Sequence, residues 1–172
     1  MKSLTDMAKG TGGSILPHII LGDFNQQPGS PGYRILECGV LPDDAEVELK
    51  ANKHIIEADA EATKEVENRG TELSKTGLFH VLGADYFSRT SPGLKSAYFE
   101  ALKGREPRMT CIDLEQEDPK QTLDYVWFSH DTLQLESVVD VPSEAEIDAE
   151  IAFPSQAFPS DHFSLSVTFR FQ

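Results

Sequence analysis

Phe163, Leu165, Val167, Phe169 and Phe171 alternate without a break with Ser164, Ser166, Thr168 and Arg170. A period of two puts all five apolar side chains on one side of an extended chain, so this segment requires a sheet with one covered face and one wet face. An all-helical fold is thereby excluded. Leu123, Tyr125, Val126, Trp127 and Phe128 make a second, denser strand, and Leu133 to Val139 reads as its hairpin partner across a turn at His130 to Thr132. Upstream, Ile15 to Leu21 (ILPHIIL) is a nearly continuous apolar run of the kind seen in strands buried on both faces, and it stops at Gly22. Ser30 and Pro31 then supply an N-cap and a first-turn proline, Tyr33, Ile35 and Leu36 follow at roughly helical spacing, and Gly39 marks the stop. Ser143 opens a capped acidic helix with Glu146 at the capping-box position, ending before Pro154.

Between these segments, Asp43 to Arg69 holds nine acidic and four basic residues. Residues 43–75 are therefore expected to be an acidic surface insertion, with a solvated helix possible at Ile55 to Val66. Gly77 to Tyr86 and Leu94 to Leu102 recover apolar content around a turn at Pro92 and Gly93, and read as short helices or loop-embedded segments. The 172 residues are enough for one domain burying roughly two-thirds of its unfolded surface.

The formal charge of -14, from 29 Asp and Glu against 15 Lys and Arg, argues against extended non-specific binding to duplex nucleic acid, which needs a basic face. A small phosphate-bearing ligand held through a metal ion stays open, because divalent cations reverse the sign of a carboxylate-lined pocket. No apolar run approaches the ~20 residues of a membrane span, and residues 1–15 lack the basic-then-apolar order of a signal peptide. The chain is thus expected to be soluble, intracellular and cytoplasmic, with no membrane partner. Cys38 and Cys111 show no metal-ligand spacing and read as reduced structural thiols.

Three polar constellations fall at strand ends: Gly22-Asp23-Phe24-Asn25, Leu123-Asp124-Tyr125 and Ser160-Asp161-His162. In an extended segment Asp23 and Asn25 share a face, so a carboxylate and an amide converge just past a strand's carboxyl end, a common place for ligands in α/β sheets. The His162 imidazole at the mouth of the last strand can meet a carboxylate such as Asp124 and be fixed in one tautomer. Each constellation alone is also ordinary turn chemistry. His18, His54, His80 and His130 have no partner pattern and read as structural.

In combination and in this order, Gly22-Asp23-Phe24-Asn25 with Pro28, Leu123-Asp124-Tyr125-Val126-Trp127 and Ser160-Asp161-His162-Phe163-Ser164-Leu165 resemble the endonuclease/exonuclease/phosphatase superfamily of magnesium-dependent phosphoesterases. Ser30-Pro31-x-Tyr33, Leu94-Lys95-Ser96-Ala97-Tyr98, Thr122-Leu123-Asp124-Tyr125 and Phe153-Pro154-Ser155 are similar to its deadenylase-related branch, with nocturnin, the angel proteins and the 2′,5′-phosphodiesterase. The resemblance implies an α/β (α+β) fold, a four-layer DNase I-like β-sandwich flanked by helices. It also implies an amino-terminal half bearing a strand Asn and a metal-binding Glu, which nothing upstream of Ile15 can hold. Glu37, Glu46 and Glu48 fall in the wrong place, so residues 1–172 are expected to be only the carboxyl-terminal half: a fragment, a partial gene model or a shortened copy. Without the other half, strands such as Leu123 to Phe128 and Phe163 to Phe171 are expected to expose an apolar face.

By the same resemblance the catalytic residues are Asp23, Asn25, Asp124 and His162. Asp23 acts on the attacking water, Asn25 donates its amide to a phosphoryl oxygen, Asp124 orients His162, and His162 stabilises charge on the pentavalent phosphate. Asp23, Asn25 and Asp161 would ligate magnesium, with manganese as the alternative ion, because they offer oxygen and no thiolate cluster. The implied activity is phosphodiester hydrolysis of RNA from the 3′ end, or of a nucleotide. The alternatives are a nucleotide 2′-phosphatase, or a non-catalytic remnant that binds a protein partner through the acidic insertion.

Overall fold

A computed structural model of the chain describes residues 16–39, 42–44 and 93–172. The candidate helix at Ile55 to Val66 and the segment Gly77 to Tyr86 lie outside the described residues, as does nearly all of the acidic stretch 43–75. The described elements run β1 (Ile19–Asp23), α1 (Pro31–Cys38), β2 (Lys95–Ser96), α2 (Ala97–Ala101), β3 (Cys111–Ile112), β4 (Lys120–Gln121), β5 (Asp124–Phe128), β6 (Leu133–Val138), α3 (Glu144–Asp148) and β7 (Val167–Phe171).

β5 is the middle strand of a three-stranded antiparallel sheet in the order β1-β5-β2. Its side chains alternate between two cores. Tyr125 and Trp127 join Tyr33 and Leu94 on one face. Val126 and Phe128 join Ala97 and Leu133 on the other, backed by Leu165 and Phe169 of the β6-β7 layer. Burial on both faces is why this strand reads as an unbroken apolar run. The expected exposed face on Leu123 to Phe128 is absent: Tyr125 to Phe128 are all buried, each such side chain contributing about 1.5–3 kcal/mol. A third core gathers Met109, Ile112, Ile147 and Phe163, with Phe153 and Phe158 packed against it.

Two strand assignments differ from expectation. β6 does not pair with β5; it pairs antiparallel with β7. Both hydrogen-bonding edges of β5 are already filled, by β1 and β2, and the Ser129 carbonyl accepts from Thr132 N and Leu133 N at 3.2 and 2.9 Å. That turn carries the chain into the second layer, where the Phe128 and Phe169 rings lie 4.9 Å apart. The first strand begins at Ile19 and runs through Gly22, whose φ of 143° suits glycine, as far as Asp23. It is an edge strand and is not buried on both faces: Ile20 packs on the Tyr33 core, whereas Leu21 is 67% exposed.

Helical signals that depend on neighbouring residues hold. Ser30 Oγ caps Tyr33 N, Pro31 opens α1, and Gly39 closes it in the left-handed region with its N–H on Ile35 O. The capping box at Ser143 and Glu146 is formed. Leu94 to Leu102 contains the short helix α2, capped by Ser96. The last strand alternates in burial from Phe163 to Arg170, regular pairing covers only Val167–Phe171, and the alternation fails at Phe171, 75% exposed, where the expected open apolar face does occur. The chain leaves α1 at Gly39 and is back beside it at Gly93, where Leu94 N donates to Leu36 O at 2.8 Å. Among the described residues no helix is long and apolar enough to cross a membrane.

Candidate active site

The antiparallel register of β1 and β5 sets Asp23 opposite Asp124. Beyond Asp23 the chain turns at once: Asn25 N donates to Asp23 Oδ1 at 2.7 Å, and Asn25 sits at a φ of 51°, a left-handed conformation that asparagine tolerates. Phe24 N bonds to Leu123 O, 2.9 Å. The Tyr125 hydroxyl reaches up from the core to Gln26 O at 2.7 Å, so the loop bearing Asp23 and Asn25 is tethered to β5 at two points.

His162 arrives from a third direction. Ile112 N donates to Asp161 O and Phe163 N to Thr110 O, both at 2.8 Å, and Cys111 and His162 form an antiparallel bridge. This docks residues 161–163 onto β3 and brings His162 Nδ1 to 2.9 Å from Asp124 Oδ2. Partial burial lowers the His162 pKa, but the Asp124 hydrogen bond and the charges of Asp124, Asp23 and Asp161 outweigh it and leave the imidazole raised. The same carboxylates act on the buried Cys111 thiol: desolvation, then Asp161, Asp124, Asp113 and Asp23, push it up to about 11. It stays a protonated thiol and no nucleophile.

All five residues singled out in the sequence therefore belong to segments joined by these bonds, with Asp124 and His162 in direct contact. Sequence reading missed three neighbours. The Thr110 hydroxyl contacts Asp124 Oδ2 at 2.8 Å, buried Cys111 bridges His162 through the backbone, and the Tyr125 hydroxyl tethers the loop. Thr110 and Cys111 lie in a segment with no polar constellation of its own, and Tyr125, although inside Leu123-Asp124-Tyr125, carries no signal that its hydroxyl turns toward Gln26.

Among the described residues no group of three or more His, Cys, Asp and Glu is arranged to hold a metal ion. Asp23 Oδ1 is bonded to Asn25 N, and Asp124 Oδ2 to Thr110 and His162. Asp23, Asn25 and Asp161 offer two carboxylates and one amide, oxygen donors of the kind that would hold magnesium with waters and substrate oxygens completing its shell.

The family model of the Endonuclease/Exonuclease/phosphatase family matches residues 9–162. The chain is 27% identical over 157 residues to the CCR4-Not complex 3′-5′-exoribonuclease subunit Ccr4 of Emericella nidulans, covering 91% of this chain and 18% of that protein. It is 28% identical over 160 residues to the subunit of the same name from Aspergillus fumigatus, again 91% of this chain and 18% of the other. The chain thus spans less than a fifth of these relatives. Among solved structures, ANGEL2, a 2′,3′-cyclic phosphatase, superposes with a TM-score of 0.58 at 21% identity, over 96% of this chain and 48% of that one. Its complex with adenosine-2′,3′-vanadate gives 0.57 at 20% identity. The layered α+β fold is therefore shared, and this chain accounts for about half of it.

Proposed function

The chain belongs to the Endonuclease/Exonuclease/phosphatase family, and from that premise we propose that it hydrolyses phosphate esters of RNA, working from the 3′ end in the manner of the exoribonuclease relatives. The observation that carries this is the Asp124–His162 pair, 2.9 Å apart, with Asp124 on a strand whose register places Asp23 directly across from it.

The residues suit proton and charge management around a phosphoryl group. Asp124 Oδ2 accepts a hydrogen bond from His162 Nδ1–H and leaves Nε2 as the ring's outward nitrogen. The raised His162 pKa favours the imidazolium, a donor for charge developing on a phosphoryl oxygen. Asp23 positions and deprotonates the attacking water, Asn25 offers its amide to a non-bridging oxygen, and Asp161 supports the water. Nucleases of this family generally use a divalent metal, for which magnesium is the proposed ion. With only a partial ligand set among the described residues, slow turnover is expected, and no step is assigned to the ion.

A second reading, a nucleotide 2′-phosphatase, is favoured by the charge of -14, which suits a small substrate better than a long polyanion. The test is shortening of a 5′-labelled oligoadenylate and phosphate release from NADP, side by side at millimolar magnesium, with His162→Ala as control. We expect shortening that falls at least ~10²-fold in the control, the usual scale for such a group. Phosphate release from NADP without shortening selects the phosphatase. Equal rates in the two chains, or no turnover of either substrate, would overturn the hydrolase reading.

A further inference from the structure

Thr110 has no solvent exposure, so its hydroxyl must be partnered within the protein. A hydroxyl offers one proton and two lone pairs. Both lone pairs are used: Leu123 N and Asp124 N each donate to Thr110 Oγ1 at 3.0 Å. The single proton is thereby committed to Asp124 Oδ2, 2.8 Å away, the same oxygen that His162 Nδ1 contacts at 2.9 Å. A buried threonine satisfied by local backbone is commonplace. Here the donor end is spent on a side-chain oxygen already shared with an imidazole.

The main chain of Thr110 holds the other partner. Its carbonyl accepts from Phe163 N at 2.8 Å, and its N–H donates to Gln121 O at 2.7 Å. One residue thus fixes the Asp124 carboxylate through its side chain and the backbone next to His162 through its carbonyl. With the carboxylate unable to rotate, its second acceptor site on Oδ2 stays aimed at Nδ1, which must carry hydrogen because a carboxylate cannot donate.

We propose that Thr110 is a positioning residue that holds the Asp124–His162 pair in register with Nδ1–H on Asp124, so that Nε2 faces outward both in the imidazolium that donates to the phosphoryl oxygen and, when the ring is neutral, in the Nδ1–H tautomer. The kinetic side of this rests on the hydrolase reading above; the tautomer side does not. The test is a nitrogen-15 spectrum of the His162 ring in the full chain, at a pH where the ring is neutral, together with steady-state hydrolysis of oligoadenylate. Wild type should show the Nδ1–H form alone. Thr110→Val, which keeps the shape and removes the hydroxyl, should bring in a resolved Nε2–H form beside it. It should lower kcat by about 10- to 100-fold with KM within about twofold, the pattern of a lost orienting contact. Thr110→Ser should restore both readouts.

A folded Thr110→Val chain with the wild-type tautomer and kcat, or a Thr110→Ser chain as impaired as Thr110→Val, would overturn the proposal. If Thr110→Val does not fold, the wild-type and Thr110→Ser spectra still decide: an Nε2–H form in either refutes it. A tautomer change with no turnover in any chain counts against the hydrolase reading and leaves the positioning role standing.

Discussion

Replacing Tyr125 by Phe removes one hydroxyl and leaves a ring in place. The ring's neighbours, Tyr33 at 5.4 Å, Trp127 at 5.7 Å and Phe24 at 6.0 Å between centroids, are unaffected, so the substitution isolates the polar atom. That hydroxyl lies 2.7 Å from Gln26 O and 2.8 Å from Thr122 O, and Tyr125 is 2% exposed, which denies water an easy route to replace it. A buried carbonyl stripped of its donor costs about 1–3 kcal/mol. One proton serves two acceptors here, so a loss of about 2 kcal/mol is the central expectation. At roughly 2–4 °C per kcal/mol for a chain of this size, the melting temperature should fall by about 4–8 °C. Desolvation, then the charges of Glu106 and Asp124, holds the Tyr125 pKa far above the ordinary phenol range. The hydroxyl therefore stays a donor, and the deficit should be constant between about pH 6 and 9. Thermal melts of the two chains across that range provide the check. A difference under about 1 °C would refute the reasoning, by showing that the Gln26 and Thr122 carbonyls find other donors.

Glu106→Gln tests the buried carboxyl that accepts from the Tyr33 hydroxyl at 2.9 Å. Desolvation, opposed by hydrogen bonds from Ser96 and Tyr33 and aided by Glu37, raises its pKa. The folded state therefore holds this proton more tightly than the unfolded state does, and wild-type stability falls as pH climbs from the ordinary carboxyl value, about 4.3, through the raised one. The variant should gain on wild type across that rise in melts against pH, and parallel curves would exclude the effect. At Gly93 a Cβ would sit 1.7 Å from Glu37 O, a backbone atom. Gly93→Ala should accordingly cost at least about 1–3 kcal/mol by overpacking, read from the denaturation midpoint, and an unchanged midpoint would contradict the geometry.

What the sequence disclosed follows the range over which each signal acts. The caps of α1 and α3 are local, a hydroxyl three residues from the amide it accepts, and they were legible with their ends. The alternation through Phe171 and the dense run at Tyr125 to Phe128 named strands, since burial of one or two faces leaves its period in the chain. The partner of β6 was not legible, because pairing across more than 30 residues depends on which edges of β5 are already filled. Nor could an apolar run distinguish a strand covered on both sides from an edge strand such as β1, with Leu21 outward. Asp23, Asp124 and His162 stood out through flanking residues, whereas Thr110 sits in Met-Thr-Cys-Ile with nothing to mark it. Its hydroxyl gains meaning only when β3 and β5 meet.

The closure at Leu36 and Leu94 also fixes where mechanical load would enter this fold. Anything attached between those two points pulls on the last turn of α1 and on β2, which is bonded to Phe128 and Trp127. Asp124 lies at the opposite end of that strand, about 14 Å away at ~3.4 Å per residue. Cargo fused there, or a partner that docks there, would tug on the aromatic core and leave the Asp124–His162 end slack. The junction is thus a point at which an attached load meets the aromatic core first and Asp124 only through the length of β5.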